Sequence, residues 1–293
     1  MLGTRCEITV HIVEHSSHCV SRTALSVEFN VHTHYTQGVT EHSTELPSPR
    51  PTPGRADGIR ARNRASIETE LRAAARRQLA EVGAAALSLR AVARDMGMVP
   101  SALFRYVSGR DELLTLLIVE AYSGLADAVQ GQHDAVDPAD LRGRWAALAG
   151  ATRTWALANP HEWALIYGSP VPRYDAPSEQ TTDPGTRVAR LLLAIGQDAV
   201  TRGHAGGTPF GPAPQARELA ERATQGLRQE PEFTTAGMPA VALANGLVAW
   251  NMLVGAVSAE VFRQLGEQTI ADPRAFFDYH VGTAGAILFG PAG

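Results

Sequence analysis

The chain contains no lysine, so all 26 of its basic residues are arginines. This absence excludes activities that need a lysine, including Schiff-base catalysis and phosphate binding through a P-loop lysine. Cysteine is nearly absent, because Cys6 and Cys19 are the only two in the chain. Two cysteines near one end make no disulfide framework, and this scarcity is typical of a protein from a reducing compartment.

Long apolar runs are also scarce, since the run Leu113–Val119 ends at Glu120. We find no uninterrupted run of the roughly 18 apolar residues that a membrane span requires, so no membrane partner is predicted. The N-terminus shows no charged start followed by an apolar stretch, so the sequence predicts no secretory signal. We therefore expect a cytoplasmic protein.

The net charge of −4 hides an uneven distribution of charge along the chain. Residues 55–110 hold 11 arginines and five acidic residues, whereas residues 111–293 hold 12 arginines and 20 acidic residues. A basic block joined to an acidic remainder indicates a module that binds a polyanion on a body with another task.

The first part of the chain, residues 1–57, differs from the rest in composition. It contains six of the ten histidines and ends in a stretch rich in proline, Pro47–Gly54. We expect a disordered extension followed by a stiff proline-rich linker, because no core residues accompany its short apolar alternations. His32, His34 and Cys19 do not have the spacing of a compact zinc site, and we predict no metal and no cofactor.

Between residues 58 and 110 the apolar pattern becomes helical. Apolar residues recur every three or four positions on a first helix at Ile67, Leu71, Ala75, Leu79 and Val82. Gly83 is suited to end that helix, and Ser88 is suited to cap a short second one. Gly97 then supplies a tight turn, and Pro100 suits the start of a third helix. This spacing predicts a three-helix domain with a helix-turn-helix, whose third helix enters the major groove of DNA.

The segment from Val82 to Leu114 reads VGAAALSLRAVARDMGMVPSALFRYVSGRDELL. This segment resembles the N-terminal DNA-binding domain of the TetR family, and the likeness extends over about residues 60–125. Two positions depart from the usual family pattern. Phe104 stands where tyrosine is commoner, and Arg110 stands where lysine is commoner.

The resemblance implies nine DNA-contacting residues: Ser88, Arg90, Pro100, Ser101, Ala102, Phe104, Arg105, Tyr106 and Arg110. Arg90 and Arg105 are the candidate base readers, because the planar fork of arginine fits guanine O6 and N7. The small residues that begin the third helix allow close approach to the bases. Phe104 has no hydroxyl for a phosphate, and the sequence leaves open whether it meets DNA or fills the core.

The same resemblance implies that Ser88, Tyr106 and Arg110 hold phosphates. Ser88 lies at the N-terminus of the second helix, where the helix dipole favours an anion. Contacts of this kind fix the register of a protein on DNA, whereas base contacts determine which sequence is bound.

Residues 111–293 show further helical stretches at roughly 138–158, 160–168, 183–203, 214–228, 238–266 and 273–289, without a comparable β-rich run. The predicted fold class is therefore all-α, with a helix-turn-helix domain before a larger helical domain. The segments Asn159–Pro177 and Ala249–Phe262 resemble the tetracycline-repressor-like "WHG" C-terminal domain. That resemblance implies ligand binding and dimerisation.

All four tryptophans lie in this C-terminal part, and we expect them to converge. The candidate ligand-binding residues are Trp145, Trp155, Trp163, Tyr167 and Trp250. Aromatic walls with few polar groups are typical of small-molecule pockets, so we expect a hydrophobic effector. Core filling is the alternative for each of these residues.

The last two predicted helices carry more apolar surface than one chain easily hides. Their candidate dimerisation residues are Val241, Leu247, Val254, Val257, Val261, Phe277 and Val281. A two-fold four-helix interface would bury this surface and would space two recognition helices about 34–36 Å apart on a palindrome.

We therefore predict a one-component repressor that a small-molecule ligand releases from a palindromic operator. An activator, or a regulator that responds to a protein, remains an open alternative with the same fold. An enzyme is disfavoured, because the chain has no glycine-rich phosphate loop and no Gly-x-Ser-x-Gly nucleophile elbow.

Overall fold

A computed structural model describes residues 55–204, 214–266 and 269–291. The predicted extension before residue 55, with its cysteines and histidine-rich segment, lies outside the described residues. All ten elements of the described part are α-helices: α1 Arg55–Ala86, α2 Leu89–Asp95, α3 Pro100–Leu103, α4 Arg110–Asp134, α5 Leu141–Ala158, α6 Pro160–Tyr167, α7 Ser178–Thr201, α8 Pro214–Thr224, α9 Ala240–Val261 and α10 Pro273–Phe289. The predicted all-α fold class is confirmed.

The two glycines that the sequence places at turns are both needed there. Gly83 has φ 73° and ψ 169°, so the regular part of α1 ends at this residue. Gly97 has φ 64°, and the Met98 N–H crosses back to the Ala93 carbonyl at the end of α2. Positive φ values strain residues with a side chain, which explains why glycine occupies both positions.

Helices α1 to α3 pack with the start of α4 into one small apolar core. Its buried members are Leu71, Ala74, Ala75, Leu79, Leu87, Leu89, Val92, Ala93, Leu103, Val107, Leu113, Leu114 and Leu117. Because this core continues to Leu117, a domain boundary at residue 110 would separate side chains that pack together. The first two turns of α4 belong to the helix-turn-helix domain.

The larger core lies in the C-terminal body, and α4 enters it as well through Leu125 and Val129. Here α4 packs against α5 and α7, while α9 packs against α8 and α10. Helix α7 begins earlier than the sequence suggested, because it continues through Pro184. The Thr186 hydroxyl donates to the Thr182 carbonyl at 2.9 Å, so this hydrogen bond spans the proline.

Helix α9 corrects the expectation that no stretch reaches the length of a membrane span. By length and composition alone, Ala240–Val261 is apolar enough to cross a membrane. One such helix is weak support for a membrane protein, because a core helix passes the same test. The side chains of Leu243, Leu253 and Val257 are buried within the chain, as expected of a core helix.

Candidate nucleic-acid interface

Helices α2 and α3 present an exposed surface that contains most of the predicted DNA-contacting residues. Arg90, Pro100, Ser101, Phe104 and Arg105 are exposed, and Ala102 is half-buried. Phe104 is 58% exposed, which answers the question that the sequence left open, because this ring is not part of the core. The surface combines guanidinium groups with small and apolar side chains, as base readout in a major groove requires.

Arginines of the basic block divide into two groups. Arg72 and Arg76 both pair with Glu120 on α4 at 2.8 Å, and Arg77 donates two hydrogen bonds to Asp95 on α2. These arginines join helices within the domain.

The second group has its charge available for a partner. The guanidinium groups of Arg90, Arg94 and Arg105 are exposed and have no hydrogen-bond or ion-pair partner within the described residues. Arg94 lies at the end of α2, and the sequence reasoning did not single it out. Its exposure and lack of a partner are the signals that distinguish it.

The phosphate candidates Ser88 and Tyr106 are both half-buried. Ser88 is the N-cap residue of α2, but its hydroxyl makes no capping hydrogen bond. Its backbone N–H donates instead to the Gln78 side chain at 2.8 Å, which fixes the start of α2. Tyr106 is half-buried, and the Arg64 guanidinium carbon lies 5.7 Å from its ring centroid.

Arg110 has a different environment from the one that the resemblance implies. Its guanidinium donates to the carbonyls of Ala84, Ala85 and Leu87 at 3.0, 3.1 and 3.2 Å. These carbonyls lie where α1 ends and the chain turns into α2, so Arg110 donates to acceptors at a helix end, where few intrahelical partners remain. In this structure Arg110 fixes the α1–α2 junction from inside the domain.

Glu112 provides a similar link at the start of α4. The Ser108 backbone N–H donates to its carboxylate at 2.5 Å, and this hydrogen bond lowers the pKa of Glu112. This hydrogen bond joins the residues before α4 to the first turn of that helix.

Comparison with known proteins decides the family. Residues 71–117 match the family described as bacterial regulatory proteins, tetR family, and residues 145–284 match the tetracyclin repressor-like C-terminal domain. HTH-type transcriptional regulators Rv1816 of Mycobacterium tuberculosis and Mb1846 of Mycobacterium bovis are each 42% identical over 236 residues, covering 79% of this chain and 96% of the relative. The chain belongs to the TetR family. It is a DNA-binding transcriptional regulator, and this class of protein is not enzymatic.

Solved structures agree with this family membership. The regulatory protein SCO4313 is 30% identical, with a TM-score of 0.61, over 76% of this chain and 97% of that one. A tetR-family regulatory protein from Rhodococcus RHA1 shares the fold at 18% identity, with a TM-score of 0.51, over 77% and 98% of the two chains. TetR-family regulators bind operator DNA, form homodimers and bind small-molecule effectors.

Three of the predicted effector-binding aromatics come together in the TetR-like body. The ring centroids of Trp163 and Tyr167 on α6 are 4.4 Å apart, and Tyr167 lies 6.2 Å from Trp250 on α9. The sequence reasoning missed a fourth member, Tyr122 on α4, whose centroid is 6.2 Å from that of Tyr167. Burial raises the pKa of both tyrosines. We call these four residues the aromatic cluster.

The other two tryptophans have separate surroundings. Trp145 is buried, and its indole N–H donates to the Val281 carbonyl on α10 at 2.9 Å, so core filling is the better description of its role. Trp155 is half-buried against α4, where its Nε1 would lie 3.4 Å from a side chain added at Gly124. The expected convergence of all four tryptophans is therefore incomplete.

The Trp163 side chain is fully buried and fixed in place by a hydrogen bond. It is 0% exposed, and its indole N–H donates to the Ser258 hydroxyl at 3.1 Å. Tyr122, Tyr167 and Trp250 are half-buried, so a ligand can reach these three members of the cluster more readily than Trp163.

The body also contains a pocket that the sequence did not predict. It measures about 240 Å³ between α9 and α10, and its lining is mainly apolar, including Ala256, Leu265 and Phe276. Glu260 at its edge accepts two hydrogen bonds from Arg153, at 2.6 and 2.7 Å.

Helix α6 connects the aromatic cluster to the DNA-binding domain. Leu165 on α6, and Val171 and Tyr174 in the segment after it, pack against the helix-turn-helix core. The hydroxyls of Tyr174 and Thr115 are 2.9 Å apart, which adds a polar link to α4. The α6 segment therefore contacts both the aromatic cluster and the helix-turn-helix core.

The predicted dimerisation residues differ in exposure. Leu247 is exposed, whereas Val241, Val254, Val261 and Val281 are half-buried. Two of the predicted residues must be corrected, because Val257 is 0% and Phe277 is 3% exposed within a single chain. Both fill the core beneath α9 and α10, so neither offers surface to a second copy.

Proposed function

We propose that this regulator is a repressor, and that a small hydrophobic effector releases it from a palindromic operator. The observation that carries the proposal is the position of α6, which contributes Trp163 and Tyr167 to the aromatic cluster and packs Leu165 on the DNA-binding core. A ligand that moves the aromatic side of α6 therefore also moves the side that packs on the DNA-binding core.

For DNA recognition, we infer that Arg90 and Arg105 read bases while Phe104 contacts a thymine methyl. Ser88 and Tyr106 bind phosphates, and Pro100, Ser101 and Ala102 let the backbone approach the groove. Support comes from the exposure of Arg90, Phe104 and Arg105 and from the unpaired guanidinium groups of the two arginines. A bidentate arginine contact is worth about 1–3 kcal/mol of discrimination between bases.

For effector binding, we infer that the ligand enters at Tyr167 and Trp250 and uses Trp163 as a fixed wall. The pocket between α9 and α10 is the second place for a small molecule. We favour the aromatic cluster because α6 links it to the helix-turn-helix core, whereas the residues lining that pocket lie on α9, α10 and the segment between them.

For assembly, we infer a homodimer through the exposed sides of α9 and α10. Leu247, Val241, Val254, Val261 and Val281 remain the candidate contacts, since their side chains are not fully buried in one chain. A two-fold axis between the bodies would place the two recognition surfaces on successive grooves of one DNA face. We place this complex in the cytoplasm, with the DNA.

The energy that such a switch requires is modest. A hundredfold loss of operator affinity corresponds to about 2.7 kcal/mol of coupling between effector and DNA. A ligand supplies that much if it binds the released conformation a hundredfold more tightly than the operator-bound one.

The first test is a footprint of the full-length protein on the DNA that flanks its gene, at several salt concentrations. Arg90→Ala should relax sequence preference at the base that Arg90 reads and weaken operator binding by about 10- to 100-fold. The matched control is Arg217→Ala, which removes an exposed arginine from α8 in the body. Equal affinity for the two variants would contradict the assignment of Arg90.

The effector site is tested with any compound that releases the operator in a screen. Trp250→Leu should raise the concentration needed for release at least tenfold, whereas Phe276→Ala in the α9–α10 pocket should leave it unchanged. The opposite pattern would move the effector site to that pocket. Stimulation of transcription by the DNA-bound protein would instead favour an activator.

A further inference from the structure

The side of α1 that faces the core changes character along its length. Counting towards the N-terminus, it carries buried Leu71, half-buried Ile67, and then exposed Arg64 and Arg60. These positions recur every three to four residues, so they lie on one side of the helix. The C-terminal part of this stripe therefore packs on the protein core, whereas its N-terminal part presents two positive charges at the surface.

The basic end of the stripe lies beside the DNA-reading surface. The Arg64 guanidinium carbon is 5.7 Å from the ring centroid of Tyr106, which follows α3 by three residues. Arg64 also pairs with Glu68 at 2.8 Å, one turn along α1. Arg60 lies one turn further out on the same side, beyond the edge of the helix-turn-helix core.

Residues 60–66 of α1 are not held by apolar packing. Residues 60–66 are all exposed, and the stretch 58–67 contains three arginines and no acidic residue. A helical segment that is polar on every side gains little from tertiary packing. A polyanion is the partner whose charge complements it, and duplex DNA lies against the adjacent surface of this regulator.

We infer that the start of α1 is a second DNA-binding element, in which Arg60 and Arg64 bind backbone phosphates beside the half-site that α3 reads. The inference rests on the DNA-binding function and adds residues outside the helix-turn-helix to it. Phosphate contacts raise affinity for every sequence and carry no base information. The element therefore strengthens binding and its salt dependence without changing which sequence is selected.

The test uses the full-length chain and the duplex that the wild-type protein selects from a random-sequence library. Each phosphate contact contributes about 0.9 to the slope of log affinity against log salt concentration. A dimer contains two copies of Arg60, so Arg60→Gln should lower the slope by about 1.8. The selected sequence should stay the same, and Arg60→Lys should restore most of the slope, because lysine retains the charge.

Arg62→Gln is the matched control on the same helix. Two residues of helix rotate position 62 by about 200° from positions 60 and 64, which places it on the opposite side. Glutamine is a good helix former, so unchanged circular dichroism should accompany both variants. An unchanged slope for Arg60→Gln, or an equal fall for Arg62→Gln, would overturn the inference. A wild-type protein that selects no sequence would instead refute the DNA-binding function on which it rests.

Discussion

Arg110 gives the sharpest test of the structure, because the family resemblance and the geometry predict different consequences of removing it. The resemblance places Arg110 on a phosphate, whereas the structure has it donating to three carbonyls at the α1–α2 junction. A hydrogen bond from a charged donor contributes about 1.5–3 kcal/mol when its partners are buried. The Arg110 side chain is 29% exposed, so water can replace part of what is lost. We therefore expect Arg110→Ala to destabilise the domain by about 2 kcal/mol in total.

The assay is urea unfolding followed by far-UV circular dichroism at one fixed protein concentration. With a slope of about 2 kcal/mol per molar urea, a loss of about 2 kcal/mol lowers the midpoint by roughly 1 M. Tryptophan fluorescence offers a parallel signal from the C-terminal body, since all four tryptophans lie there. The salt slope of DNA binding by the folded fraction should stay unchanged.

Arg110→Lys separates the two roles further, because lysine keeps the charge but cannot bridge three carbonyls in one plane. We expect this variant to remain destabilised, by about half as much as the alanine variant. If Arg110→Ala left the urea midpoint unchanged but lowered the salt slope by about 1.8, the phosphate role would be correct and our reading of the junction would be wrong.

Three further predictions concern the body. Removing the Arg153–Glu260 pair should show a coupling energy of about 1.5–3 kcal/mol in a double-mutant cycle, because two hydrogen bonds join partly buried groups. Tyr174→Phe should lower the free energy of unfolding by about 1 kcal/mol, measured by urea, because Thr115 loses one of its two hydrogen bonds. Burial raises the pKa of Tyr167, so the unfolded chain loses its phenol proton first. Stability should therefore fall as the pH rises above about 10, as thermal melting will show.

Two of these predictions have a matched control elsewhere in the chain. The exposed pair Arg274–Asp278 on α10 should show a coupling of only about 0.3–0.5 kcal/mol. Tyr279 is 73% exposed, so Tyr279→Phe should leave the alkaline loss of stability unchanged, whereas Tyr167→Phe should reduce it. Equal coupling energies for the two ion pairs, or an equal alkaline response of the two tyrosine variants, would contradict the burial on which the predictions depend.

The fold could be predicted well where local chemistry determines it. Gly83 and Gly97 end helices because only glycine adopts their positive φ without strain, and the turn residues of the helix-turn-helix follow from this. The start of α7 was not predictable in this way, since Pro184 normally breaks a helix. The first turns of α7 stay helical because the packing of α7 against α4 and α9 outweighs the tendency of proline to break a helix.

The sequence predicted the roles of exposed site residues better than the roles of residues that contact other helices. Exposure of Arg90 and Phe104 agrees with a DNA-facing surface, but no periodicity reveals that Arg110 turns inwards to the end of α1. The same limit applies to Val257 and Phe277, because an apolar residue on a long helix suits a core and an interface equally well. Only tertiary contacts decide between the two.

The strengths of the two connections between the domains indicate how a ligand signal can travel. Helix α4 is continuous through both cores, so separating the domains along it would require breaking the packing of either core. The contact made by α6 and the segment after it is much weaker. It consists of one hydroxyl pair and three partly buried apolar side chains, Leu165, Val171 and Tyr174. At about 1 kcal/mol for each of these four interactions, it holds about 4 kcal/mol. This energy is of the same order as the 2.7 kcal/mol or so that a hundredfold release requires, so an effector can switch this contact. The domain should therefore pivot about α4 when the α6 contact changes.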